Sequence, residues 1–273
     1  MAQRDSAGGI TREAHVEAVL RAIETMRSGL ERPQPLAELS RAAMFSPYHF
    51  HKVFRELTAV TPARFLAVLR MGEARRLLLH SALPVRHVGA RVGYQSPGTF
   101  SFQFGRMIGM PPARFRRLVR SLADERSGVR TLPPIEPGGP DAPMMALSTP
   151  PERGSLVFGC LIGEGSVGLW RGRWMVATGK AVLPLPRPPA AGEYAAFLLV
   201  VAAGTRLVDA LVDDVPGSYH ISRAALSLRD RGSPVTIAAT LRRPAPTDPP
   251  IAALTPPQWH PRVTDGRTRS NLY

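Results

Sequence analysis

Apolar residues along the first 120 positions recur at helical spacing. Val16, Val19, Leu20 and Ile23 open the pattern, and turn signals cut it into short segments as far as about Arg120. The spacing predicts an all-helical region over residues 11–125, preceded by an unordered leader over 1–10. Between Thr131 and Glu152 the periodicity stops. Seven prolines there (Pro133, Pro134, Pro137, Pro140, Pro143, Pro150 and Pro151) remove backbone donors and fix φ. This predicts a semi-rigid linker over 126–152. Beyond it, apolar or alternating runs fall at Leu156–Ile162, Val167–Val176, Tyr194–Val201, Tyr219–Ile221, Ala224–Leu228 and Val235–Leu241, separated by Gly, Pro and Asp. That pattern predicts a small all-β sandwich over 153–258 and a flexible tail over 259–273.

The helical region contains an internal repeat. Ser46, Pro47, Phe50, Phe54, Pro62, Ala63, Arg64 and Phe65 return 50 positions later as Ser96, Pro97, Phe100, Phe104, Pro112, Ala113, Arg114 and Phe115. Upstream the offset is 49, since Leu36, Leu39 and Phe45 align with Val85, Val88 and Tyr94. The second copy therefore carries one extra residue in its turn. Each copy reads as helix, turn, helix and a proline-started third helix, a helix-turn-helix unit. Ser46 and Ser96 suit the N-cap, and Pro47 and Pro97 suit the first helical position, where a missing amide costs nothing. Thr61 before Pro62 repeats that arrangement. The expected fold class is α + β in two domains, an all-α, homeodomain-like tandem helix-turn-helix followed by the β-sandwich.

The middle helices of the two copies differ in what they present. In the first, Phe50, Val53, Phe54 and Leu57 form one apolar stripe, which leaves Tyr48, Lys52 and Arg55 opposite, flanked by His49 and His51. Donors and an aromatic ring at these positions suit a helix that reads bases in a major groove, where Lys or Arg donates to guanine O6 and N7. His49 and His51 point to divergent faces, which argues against a metal. In the second copy Phe100, Phe104 and Met107 face inward. Gly98, Ser101, Phe102 and Gly105 face outward, with Thr99 and Arg106 at the margins. The first unit is thus expected to carry most base readout, and the second to supply backbone contacts and register. Ser46, Arg70, Arg75, Arg76, Ser96, Arg106, Arg114, Arg116, Arg117 and Arg120 are candidate phosphate contacts, the arginines equally explicable as solvated charges.

Charge agrees with this division. The chain carries a net +14, and residues 1–130 hold 21 Lys and Arg against 10 Asp and Glu, so +11 of the excess lies in the helical half. A field of that sign favours a polyanion, although an anionic membrane surface also attracts it. The helix from about Pro62 to Leu79 is long enough to set two recognition helices in successive major grooves of double-stranded DNA without dimerisation.

From about Ala14 to Leu118 the chain resembles the DNA-binding domain of AraC/XylS-type bacterial regulators. The stretch from Val85 through Ser96, Pro97, Phe100 and Phe104 to Arg116 carries the likeness. The resemblance implies two subdomains bridged by a long helix, sequence-specific DNA binding and control of transcription. It places the base-facing positions on Tyr48, His51 and Lys52 and on Gly98, Thr99 and Phe102. Many members have arginine where Phe102 stands, and members commonly place their effector domain before the DNA-binding domain rather than after it.

Two further readings concern the C-terminal half. Related DNA-binding units are fused to alkyl-repair modules that use a cysteine as methyl acceptor. The only cysteine, Cys160, sits in the apolar run Val157–Ile162 with no basic neighbour to lower its pKa, which favours a core residue and no enzymatic role. Trp170, Trp174, Tyr194, Tyr219 and Trp259 are available to line an effector pocket or to pack between sheets. A small-molecule effector, dimerisation through this half and RNA polymerase are the partners this leaves open. No cofactor or metal is expected. One cysteine, the polar N-terminus and an apolar run of only Tyr194–Gly204 lead to the expectation of a cytoplasmic protein with no membrane span.

Overall fold

The computed structural model describes residues 2–121, 142–163, 171–185, 190–212, 215, 217–228 and 235–248. Seven helices fill the N-terminal part. The first, α1 (Ala2–Ser28), starts well before Thr11, so the leader expected to be unordered is helical. No proline precedes Pro33, and a helix nucleated downstream extends at one hydrogen bond per residue. The amide of Gln34 closes its far end, donating to the carbonyls of Met26 (3.1 Å) and Gly29 (2.6 Å).

The repeat folds as two superimposed motifs. The first unit is α2 (Leu36–Ala42), α3 (Pro47–Thr58) and α4 (Pro62–His80); the second is α5 (Val85–Arg91), α6 (Pro97–Ile108) and α7 (Pro112–Ser121). The caps form as the sequence requires. Ser46 Oγ accepts from the amide of His49, Ser96 Oγ from that of Thr99, and Thr61 Oγ1 from that of Arg64. A chain of three phenylalanines builds each core. Phe50, Phe54 and Phe65 stand at successive centroid distances of 5.4 Å and 5.4 Å, and Phe100, Phe104 and Phe115 at 5.6 Å and 5.4 Å.

The backbone repeats as closely as the side chains. Met44 (φ 59°) and Gly93 (φ 82°) are left-handed at the 49-residue offset, in the turn before the middle helix. Ala59 (φ 63°) and Gly109 (φ 84°) are left-handed at the 50-residue offset, at its C-terminus. The first unit therefore pays a steric penalty, of roughly 1–2 kcal/mol per residue, that glycine removes in the second. Met44 is 75 % exposed and loses no packing on truncation. Met44→Gly is expected to stabilise the protein by about 1 kcal/mol, read as a raised urea midpoint at unchanged slope; a lowered midpoint would refute the assignment of strain.

Arginines tie each unit to the segment that precedes it. Arg70 in α4 donates to the carbonyls of Leu30 (2.9 Å) and Arg32 (2.7 Å). Its counterpart Arg120 in α7 donates to that of Ser81 (3.1 Å), which aligns with Arg32. Arg116 adds bonds to Leu78 O and Leu83 O.

The C-terminal part is sheet-rich. Its strands are β1 (Met144–Leu147), β2 (Leu156–Gly163), β3 (Arg171–Val176), β4 (Val182–Pro184), β5 (Gly192–Val201), β6 (Tyr219–Leu228) and β7 (Thr236–Ala239), with helix α8 (Leu207–Leu211) between β5 and β6. One sheet runs β4-β1-β7, with β1 and β7 parallel; the other runs β3-β2-β5-β6, all antiparallel. Three expectations need correction. The Pro-rich linker does not reach residue 152, because Met144–Leu147 is a strand. Tyr219–Ile221 and Ala224–Leu228 are one continuous strand. The all-β expectation lacks α8, whose apolar pattern is too short to register as a helix. Residues 122–141, which hold most of the expected linker, and the tail from 249 lie outside the described residues.

The larger sheet is buried on both faces, and alternation along β2 and β5 separates them. Val157, Leu161, Ala196, Leu198 and Val200 pack with Met145, Leu147, Leu183 and Leu185 of the smaller sheet's side. Leu156, Phe158, Cys160, Ile162, Phe197, Leu199 and Val201 belong instead to a cluster that continues through Leu207 and Ala210 of α8 into the core of the first helical unit. Val208 and Val212 join the core of the second unit. The sheet-rich part is thus packed against the helices rather than held apart from them.

Candidate nucleic-acid interface

Helix α3 presents its polar face as the sequence suggests. Phe50, Val53 and Phe54 are buried, while Tyr48 is 83 % exposed and Lys52 is exposed, its Nζ 4.0 Å from Glu56. At that distance and exposure the Glu56 contact contributes little, so Lys52 remains available. His51 and Arg55 are half-buried. His49 takes a different part. Its ring lies 4.7 Å from that of Phe45 and 5.5 Å from that of His15, which fastens the start of α3 to α1 and the preceding turn.

On α6, Gly98, Thr99 and Phe102 are exposed and Ser101 is half-buried. Thr99 is engaged by the N-cap, since Ser96 Oγ donates to Thr99 Oγ1 at 3.0 Å. Phe102 is 64 % exposed and Gly105 has open space around it, so this face is apolar and smooth where α3 is rich in donors.

The candidate phosphate contacts separate into two groups. Arg106, Arg114 and Arg117 are exposed and make no hydrogen bond or ion pair among the described residues. The others are committed to the scaffold. Arg75 is 2 % exposed, its guanidinium 5.8 Å from the centroid of Phe115. Arg70 and Arg116 hold the carbonyls named above, Arg120 holds that of Ser81, and Arg76 pairs with Glu73 through two bonds of 2.8 Å. Helical periodicity puts Arg75 on the arc of Val68, Met71 and Leu78 and the others on polar or mixed arcs, but it does not reveal which carbonyls lie within reach.

Two residues escaped the sequence reading. Arg64, half-buried on α4, has its pKa pushed down by burial and then by the neighbouring charge of Arg106, partly offset by Tyr94. Its repeat partner Arg114 is the signal that was present in the sequence. Arg223 on β6 donates to the carbonyls of Leu57 (2.5 Å) and Glu56 (3.1 Å) at the C-terminal end of α3. No sequence signal links positions so far apart. Beside this contact, Tyr48, His51, Lys52, Arg55, Glu56 and Ala59 of the first unit face Ile162, Gly163, Glu193, Tyr194, Ala195, Arg223, Ala224 and Ala225 across a cleft of about 460 Å³.

Of the aromatics proposed for an effector pocket, Tyr194 lines this cleft and Tyr219 is buried in the sheet core. Trp174 is placed only by its backbone, opposite Phe158, and Trp170 and Trp259 lie outside the described residues. Cys160 is fully buried, and burial pushes its thiol up, which keeps it protonated. No helix among the described residues is long and apolar enough to cross a membrane.

Residues 39–118 match a sequence family described as "Helix-turn-helix domain". Among curated proteins, the HTH-type transcriptional regulator GlxA of Rhizobium meliloti is 33 % identical over 100 residues, covering 37 % of this chain and 31 % of its own. The helical part is an AraC/XylS-type DNA-binding domain. The chain also matches the HTH-type transcriptional activator RhaR of Enterobacter sp., at 32 % over 108 residues, covering 39 % of this chain and 38 % of that one. A solved DNA-binding domain of AdpA, in complex with a target DNA, is 31 % identical and covers 41 % of this chain and 96 % of its own, with a TM-score of 0.36. The chain spans about a third of the length of the curated relatives it matches.

Proposed function

We propose that the protein is a sequence-specific, duplex-DNA-binding regulator of transcription whose first helix-turn-helix unit performs most of the direct base readout. The observation that carries this reading is the exposed Tyr48–Lys52 face of α3 within a duplicated, strongly basic scaffold. Tyr48, His51, Lys52 and Arg55 are the base-reading set, with His49 supporting the helix start. On α6, Gly98, Thr99, Ser101 and Phe102 offer close approach and apolar contact, as to a thymine methyl. Arg106, Arg114 and Arg117, with the exposed hydroxyl of Ser46, supply phosphate contacts, while the Ser96 hydroxyl is spent on Thr99. Arg70, Arg75, Arg76, Arg116 and Arg120 brace the scaffold. Helix α4, 19 residues or about 28 Å long, spaces the two reading helices for successive major grooves.

The two sheets are read as a sandwich, with α8 over its outer face, that acts as a regulatory or dimerisation module. A methyl-acceptor role for Cys160 is disfavoured by its burial and protonation. RNA polymerase, a small-molecule effector and a cytoplasmic location remain parts of the same proposal.

A duplex enriched by the full chain from a randomised pool tests the division of labour. Lys52→Ala is expected to lose about 1–3 kcal/mol of discrimination between that duplex and a scrambled one. Arg106→Ala should weaken both duplexes alike and lower the salt slope by about one. Loss of discrimination with Arg106→Ala alone would reverse the assignment.

A further inference from the structure

The face of α3 assigned to base readout is also the face that the sheet approaches. Tyr48, His51, Lys52 and Arg55 form one wall of the 460 Å³ cleft, and the ends of β2 and β5 with the middle of β6 form the other. A helix that reads bases must enter a groove about 12 Å wide and 8.5 Å deep, with a phosphate strand on either side. A cleft of that volume accommodates a small molecule, not a duplex. The sheet and a phosphate strand therefore compete for the same side of α3.

The contact that holds the sheet in place is specific. Arg223 puts its guanidinium on the carbonyls of Glu56 and Leu57, at the end of α3 where the helix dipole is negative and the last carbonyls need donors. Its stem is braced from behind, with the guanidinium carbon 5.8 Å from the ring centroid of Phe197. Burial lowers the Arg223 pKa, with Asp248 opposing that shift, so the charge sits in a partly desolvated seat. The second unit shows a different surface at the same place. Its middle helix ends on the left-handed Gly109, and no residue of the cleft belongs to it.

We propose that Arg223 is a latch that holds the sheet beside the first reading helix, where Tyr48 and Lys52 stay exposed but the sheet stands in the space a flanking phosphate strand needs, so that DNA binding by the first unit requires release of that contact. The proposal rests on α3 being the reading helix. Free protein divides between docked and released forms, and the apparent affinity for DNA is the intrinsic affinity reduced by the released fraction. Anything that favours the released form, such as a ligand or partner binding the freed sheet surface, then increases DNA binding.

Two variants of the full chain separate this from a purely supporting role. Arg223→Ala removes the latch and also one positive charge, so ordinary electrostatics alone lowers its DNA affinity. Ala225→Trp places a neutral wedge at an exposed position of the cleft wall. Each is expected to bind the enriched duplex about tenfold more tightly than the parent at fixed salt. Hydrogen exchange should also speed at the amides of β5 and β6 when the parent binds that duplex. Unchanged or weaker binding by both variants, with Lys52→Ala still lowering discrimination, overturns the latch and leaves the readout assignment standing. Failure of Lys52→Ala to alter discrimination overturns the readout assignment itself.

Discussion

Phe104→Ala is expected to cost about 3–5 kcal/mol, enough to unfold the second unit at moderate temperature. Phe104 is fully buried, with ring centroids 5.6 Å from Phe100 and 5.4 Å from Phe115, so it joins two turns of α6 to α7. Removing the ring deletes the middle member of the chain, and neither neighbour can fill the space without leaving its rotamer. Val208 of α8 and Val212 just after it share this core, so the sheet-rich part should loosen with it. Urea unfolding followed by both far-UV circular dichroism and tryptophan fluorescence checks the expectation. A cost under about 1 kcal/mol would mean that the phenylalanine chain is not what holds the unit together.

Gly93→Ala is the second large effect, expected to destabilise by roughly 2–4 kcal/mol. At φ 82° an L-residue already meets its own carbonyl, and the added Cβ would overlap the carbonyl oxygen of Leu30. It would also stand 2.8 Å from the guanidinium of Arg70, the group that holds Leu30 and Arg32. Neither can retreat, because each is fixed by the other. The equivalent position in the first unit is Met44, whose side chain points into solvent, so that it carries the left-handed strain without a clash. Opposite signs are therefore expected at two positions related by the repeat, Met44→Gly raising the melting temperature and Gly93→Ala lowering it. Equal small effects at both would show that Gly93 has room the geometry denies it.

The helical half was legible because its signals are local. Serine before proline fixes each helix start, phenylalanines at i and i+4 fix the buried stripe, and the 50-residue offset repeats both. The exposed polar face of α3 followed from the same periodicity. What escaped was set by contacts distant in sequence. Arg70 sits on a polar or mixed arc of α4 and Arg75 on the arc of Val68, Met71 and Leu78, and one holds carbonyls some forty residues earlier while the other is enclosed beside Phe115. Periodicity gives a side chain's direction but not what meets it there. In the C-terminal half, β1 and β4 are three or four residues long and their proline neighbours resemble linker. The parallel pairing of β1 with β7 joins segments about ninety residues apart. Nor did any pattern foretell that the larger sheet would turn one face to the helices, since a strand buried on both faces reads as a plain apolar run.

The junction of Leu30, Arg70 and Gly93 has a consequence for the operator. It sets the turn of the second unit against the base of the first, which restrains α3 and α6, the helices proposed to read bases, from moving independently. B-DNA advances by one turn in about 10–10.5 base pairs, and each inserted pair swings the next half-site round by about a tenth of a turn. A protein with a flexible joint follows such a change, but one clamped at this junction measures phase as strictly as sequence. Its two half-sites would then form a single unit of fixed length, recognised as a whole or not at all.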